Sequence, residues 1–214
     1  MFTKHISSDA DERLIEYLRS KEYCLEFFSS DMLVSNGISN HPDVFYCRLG
    51  ITDDAPLVAA ENDELGEGYP AEAAFNAACT GRFFIHNPEC TNRRLSAAAK
   101  KLGFNFVDVR QGYTKCSTVV VDEDSIITYD KGIAAPCKKA GMNVLLVLPG
   151  HVVLNGYDTG FIGGTSGRAG NEIIFNGDLS AHPDFKVIKE FIEDRGLTCK
   201  WFAEYPLTDI GSII

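Results

Sequence analysis

The chain has 214 residues, of which 45% are apolar and 23% charged, the composition of a soluble globular protein with enough length for a full core. Its net charge of −10 argues against a nucleic-acid partner, which needs clustered Lys and Arg, and suits a cationic small molecule or a protein partner. The longest apolar stretch, "VLLVLPGHVVL", is broken by Pro149 and Gly150 and is too short to span a bilayer, so no membrane association is expected.

The first twenty residues carry acids and arginines where a secretory leader would be apolar, and the expected location is the cytoplasm. Seven cysteines, an odd number with no C-x-x-C pair, fit free thiols in that reducing compartment. Zinc-type spacing, H-E-x-x-H and a Walker loop are all missing, so neither a metal nor another cofactor is expected.

In chain order, the amphipathic pattern over 10–28 predicts a helix, and residues 1–30 read as an N-terminal helical extension. The segment "DMLVSNGISNHPDVFYCRLG" then echoes the later "EIIFNGDLSAHPDFKVIKEF". Each has an apolar run, Asn-Gly and then His-Pro-Asp, which places His41 and His182 at or before helix starts. The acidic, Gly- and Pro-containing "ITDDAPLVAAENDELGEGYP" reads as a long loop or short helix over the fold.

From residue 68 onward the chain repeats itself. In the first unit a Thr80-Gly81 turn joins "FNAAC" to "RFFIHN", Leu95, Ala98, Ala99 and Leu102 mark a helix, and "GFNFVDV" follows as a strand. In the second, Asp122-Glu123-Asp124 turns "STVVV" into "SIITYD", and a short helix containing Pro136 leads to "NVLLVLPG". In the third, "TSGRAGN" is expected to turn "GFIGG" into "EIIFNG". Pro183 then starts a helix with Phe185, Ile188, Phe191 and Ile192 on its apolar face, and Gly196 ends it. The repeat is ββαβ with a period of about 40 to 50 residues, the mark of stacked or circular arrays. The C-terminal "TDIGSII" supplies one more hairpin strand, and pairing it with the N-terminal piece would leave no open sheet edge.

The motifs "GYTKCS", "GFIGGTSG", "NGDLSAHPD" and "DIGSII" resemble the pentein, or guanidine-modifying-enzyme, superfamily, in an uncharacterised bacterial branch, over residues 31–214. The resemblance implies an α/β propeller of about five ββαβ units, ring-closed by the C-terminal strand. It also implies a functional site at the central channel. Enzymes of that superfamily attack a guanidinium carbon with a cysteine thiolate, use a histidine as general acid/base and hold the cation with carboxylates. A ribosome anti-association factor shares the fold without being an enzyme. The enzymes carry their cysteine in the last hairpin and their histidine in a middle one. Here "LTDIGSII" has no cysteine and "STVVVDEDS" has no histidine. That departure favours a non-catalytic member that binds a ligand or partner through the channel. The alternative is a cysteine-dependent hydrolase or transferase acting on a guanidino or related C–N bond.

Superposing the repeats puts Cys116 level with Gly160 and Ile210 at the hairpin mouths, where it reads as a nucleophile or as a small core residue. His151, in the inserted "HVVLNG", is the candidate general acid/base, or a hairpin cap. Asp158 and Asp209 are candidates to grip a cation, with turn-capping as the other role open to Asp209. Lys115 is a candidate to activate the thiol, and Ser166 and Arg168 reach a ligand from "GFIGGTSGRAG". That glycine-rich run is no phosphate loop, because a strand and not a helix follows it; close backbone approach explains it better.

Overall fold

Asp11 accepts the Arg13 N–H and starts a helix, α1 (Glu12–Ser20), that lies between two parallel strands, β1 (Thr3–Ser7) and β2 (Cys24–Phe28). The computed structural model describes residues 1–29, 34–61 and 63–214. The helix is therefore shorter than the expected 10–28. "CLEFF" has the aromatic content of a strand and finds β1 as its partner, which overrides the helical pattern. Leu14 and Leu18, one turn apart, are buried against Ile174, Phe202, Ile210 and Ile213, so the first residues share a core with the last ones. His5 and Ile214 exchange both backbone hydrogen bonds, at 2.7 and 3.0 Å.

Of the second segment, 31–33 of the expected run "DMLV" lie outside the described residues. His-Pro-Asp opens only a single turn, α2 (Pro42–Phe45), which passes directly into β3 (Tyr46–Arg48). β3 pairs antiparallel with β4 (Leu57–Ala59). Part of the expected acidic loop is thus a strand.

Three ββαβ units follow. β5 (Ala78–Cys79), β6 (Phe83–His86), α3 (Arg93–Lys101) and β7 (Asn105–Asp108) form the first; β8 (Thr118–Val120), β9 (Ser125–Thr128), α4 (Lys131–Lys139) and β10 (Asn143–Leu146) form the second. β11 (Ser166–Ala169), β12 (Glu172–Phe175), α5 (Phe185–Glu193) and β13 (Thr198–Lys200) form the third. In each, the hairpin is antiparallel and the strand after the helix returns parallel to the second hairpin strand. Each helix buries residues four apart on one face: Leu95 and Ala99, Ile133 and Cys137, Ile188 and Ile192. Asn92 and Asp130 cap α3 and α4 through their side chains.

Two boundaries of the third unit differ from expectation. Gly163–Thr165 is a 3-10 turn and the strand begins at Ser166, so "SGRA" is strand and Gly170-Asn171 is the turn. The helix begins at Phe185 and not at Pro183, with His182 closing a preceding 3-10 turn at Leu179–Ala181. The architecture is mixed α/β built from small sheets, and no helix among the described residues is long and apolar enough to cross a membrane.

Candidate functional site

Segments from several of these units meet around Asn76, which is fully buried just before β5. Its carbonyl accepts the N–H groups of Thr114 and Lys115, and its Oδ1 accepts the N–H of Cys116 at 3.1 Å. Its Nδ2 donates to the Asp43 carbonyl at 2.9 Å and to Cys116 Sγ at 3.1 Å. The loop before β8 is thereby pinned to α2.

The opposite side is pinned through glycine. Gly164 N–H donates to the Cys116 carbonyl at 2.8 Å, and the Gly164 carbonyl accepts from Ile210 and Ser212. A Cβ on Gly163 would lie 2.4 Å from the Lys115 carbonyl oxygen and 2.5 Å from that of Cys116, and one on Gly164 would strike the Asp209 carboxylate. The glycine-rich run is thus a close-approach surface that lets the three repeat-equivalent segments touch.

Within this knot Cys116, 3% exposed, sits with Sγ 3.1 Å from both carboxylate oxygens of Asp43. Asp43 is wholly buried; Ser212 Oγ donates to it at 2.6 Å and Lys115 Nζ donates to Ser212 Oγ at 2.9 Å. Asp209 accepts backbone N–H groups from Phe161 at 2.9 Å and Gly211 at 3.0 Å. Its neighbour His41 presents Nδ1 at 3.8 Å from Asp209 Oδ1. Ligand atoms of His41, Asp43 and Cys116 all lie within 4.8 Å of one another.

Burial governs the electrostatics of the knot. It raises the Asp43 carboxyl above its ordinary range against the opposing pull of His41 and Lys115. Burial also pushes Asp209 up to about 6, although its two backbone donors pull the other way. The Cys116 thiol lies well above its usual value, through burial and then the Asp43 and Asp209 carboxylates. His41 and Lys115 are lowered, again chiefly by burial.

A cavity of about 200 Å³ opens over the knot, lined by His41, Tyr113, Cys116, Tyr157, Phe161 and Asp209, with Leu154 from the inserted loop. Cys116 and Asp209, both singled out in the sequence, share this cavity. His151 does not line it: it is exposed, with a positive φ of 63° and its ring 5.4 Å from that of His182. The insertion contributes its wall through Leu154 instead. Asp158 is likewise exposed and outside the lining.

Lys115, Ser166 and Arg168 line a different, smaller cavity of about 60 Å³, together with Lys4 and Arg48. Successive side chains of the Lys115-Cys116 pair thus serve two cavities. Ser166 Oγ donates to the Gly163 carbonyl, and Arg168 is held by the carbonyls of Val121 and Gly170. His41, Asp43, Asn76 and Ser212 had no separate signal in the sequence. His-Pro-Asp looks like a helix start in both copies, and what distinguishes the first is tertiary: Asp43 N–H donates to the Gly211 carbonyl.

A family model described as "Family of unknown function (DUF6873)" matches residues 51–214. Comparison with curated proteins gives no match. Among solved structures, the chain is similar to dimethylarginine dimethylaminohydrolase, in its adduct with 4-chloro-2-hydroxymethylpyridine. The TM-score is 0.53 at 12% identity, covering 95% of this chain and 93% of that one. It is also similar to the agmatine deiminase of C. jejuni, with a TM-score of 0.50 at 11% identity, covering 94% and 87%. Both are pentein-superfamily members, and the fold of this chain is of that kind.

Proposed function

The chain belongs to that family of unknown function, and we propose that it binds a small organic cation, of guanidinium or amine type, in the cavity above Asp209 and Cys116. One observation carries this reading. The carboxylate of Asp209 is buried at the edge of an aromatic-lined cavity, and no Lys or Arg forms an ion pair with it among the described residues. Burying a carboxylate with no counter-charge in contact is costly. Two backbone N–H groups and the field of Lys115 offset part of that cost, and a planar cation would complete the pairing while stacking on Tyr113, Tyr157 or Phe161. Reading the five sheets as blades of a closed propeller, with the cavity at its axis, is supported by the paired hydrogen bonds of His5 and Ile214. Fold similarity to two guanidino-compound enzymes adds an analogy of ligand class only.

Binding without thiol chemistry fits the resting site best, because the Cys116 thiol donates to the Asp43 carboxylate and both groups favour the protonated form. A second reading, a cysteine-dependent hydrolase of a C–N bond, draws on Cys116 lining the same cavity as Asp209 and His41. In that reading His41, and not His151, is the histidine within reach. Calorimetric titration with methylguanidinium and alkylguanidines tests the proposal. Wild type should bind, and Asp209→Asn should bind roughly 10–100-fold more weakly, the worth of one charge-assisted hydrogen bond. Equal binding by the two proteins would remove the proposal. A mass increase on the Cys116 peptide after incubation would favour the hydrolase reading.

A further inference from the structure

We infer that His41, Asp43 and Cys116 form a site for a divalent zinc ion, with one coordination position left open to the cavity. The three supply imidazole nitrogen, carboxylate oxygen and thiolate sulfur, the mixed donor set that zinc accepts in open, three-ligand sites. Their ligand atoms lie within 4.8 Å of one another, and Sγ is 3.1 Å from each Asp43 oxygen. Zinc bonds of about 2.0–2.3 Å set tetrahedral ligand pairs roughly 3.3–3.8 Å apart. The cluster therefore has to adjust by about an ångström, and two of its members, His41 and Cys116, already face open space.

A second observation bears on how His41 is held. His41 is 3% exposed, and its Nδ1 has no hydrogen-bond partner among the described residues. Buried polar atoms are rarely left so, and an imidazole that ligates through one ring nitrogen commonly offers the other to a carboxylate. Asp209, 3.8 Å away, stands where that carboxylate belongs.

Charge closes as well. A thiolate and the Asp43 carboxylate together cancel the two charges of zinc, so the ion adds none to a buried site, and Lys115 remains to face Asp209. On binding, the Cys116 S–H and Asp43 O–H bonds break, both protons pass to solvent, and the freed sulfur and oxygen lone pairs form the bonds to zinc, with no change in oxidation state. The surrounding second layer is in place: Asn76 Nδ2 on Sγ and Ser212 Oγ on the carboxylate orient two of the three ligands.

The inference does not rest on organic-cation binding, because Asp209 is a neighbour and not a ligand. The test uses the full chain with Cys24→Ser, since Cys24 is the exposed thiol. Zinc is titrated against a chromophoric chelator, and cobalt is added separately for its spectrum. Expected are one zinc per chain and a sulfur-to-cobalt charge-transfer band, both lost in Cys116→Ala, with zinc affinity down at least ~100-fold. Asp43→Asn, at a ligand that does not line the cavity, should lose zinc while methylguanidinium still binds against Asp209, so the two readings fail separately. Zinc taken up equally by Cys116→Ala, or no zinc retained by wild type, would overturn the site. Should Cys116→Ala fail to fold, the cobalt spectrum of the parent decides alone: no charge-transfer band means no thiolate ligand.

Discussion

Gly163→Ala puts one methyl group where the centre of the fold has no room. The added Cβ would stand 2.4 Å from the Lys115 carbonyl oxygen, 2.4 Å from the Thr118 nitrogen and 2.5 Å from the Cys116 carbonyl oxygen, where ordinary contact begins at 3.4 Å. All three are backbone atoms, so no rotamer change relieves the clash, and the 162–165 turn must retreat by about an ångström. That retreat stretches the 2.8 Å bond from Gly164 N–H to the Cys116 carbonyl. A buried donor and acceptor left unpaired cost about 1–3 kcal/mol, and overpacking strain adds about 1–3 kcal/mol. The expected loss is about 2–6 kcal/mol, a large share of the roughly 5–15 kcal/mol that holds a domain together. Urea unfolding followed by fluorescence of Trp201, the one tryptophan, measures it directly. A loss below about 0.5 kcal/mol, the usual surface range, would mean that Gly163 does not pack against the Cys116 backbone.

Three further outcomes follow from the same geometry. His86, buried between the Gly112 carbonyl and Thr91 Oγ1 at 2.8 Å each, is lowered from 6.5 to about 4, chiefly by burial. Its unfolded form takes up a proton first, so stability should fall by about 3 kcal/mol as pH drops from 6.5 to 4 and then level off. His86→Gln should flatten that part of the pH–stability curve, and an unchanged slope would contradict the assignment. Glu64, held by Arg94 at 2.5 Å and lowered to about 2, should titrate nearer its ordinary value in Arg94→Ala, as read by carboxyl NMR shifts. Iodoacetamide should modify the exposed Cys24 well before the buried Cys47, Cys79 and Cys116; early Cys116 modification without added ligand would argue for an activated thiolate.

The three central units were legible in the sequence because each carries its own turn, its own helical stripe and its own returning strand, all local signals. The N-terminal unit was legible only in part: pairing of the C-terminal strand with the N-terminal piece was expected of the segment from residue 31, whereas it is His5 in Thr3–Ser7, read as part of a helical extension, that bonds to Ile214. "CLEFF" was drawn into a helix by the amphipathic run before it, and only pairing with β1 decides otherwise. At the site, Cys116 and Asp209 were found because repeat equivalence places them at hairpin mouths. Asp43 and His41 were not, since a helix-start motif explains them locally and only Gly211, packed on His41, brings them to the centre. That the acid of "PDVF" is wholly buried emerges only in the fold. His151 illustrates the opposite error: an insertion does line the cavity, but through Leu154.

The most direct measurement is a crystal structure of the full chain grown with methylguanidinium. The account predicts a planar density in the cavity, with its nitrogens against the Asp209 carboxylate and its face on Tyr157 or Phe161, beside Cys116. A cavity filled by water alone, with the cation found only on surface carboxylates, would contradict it.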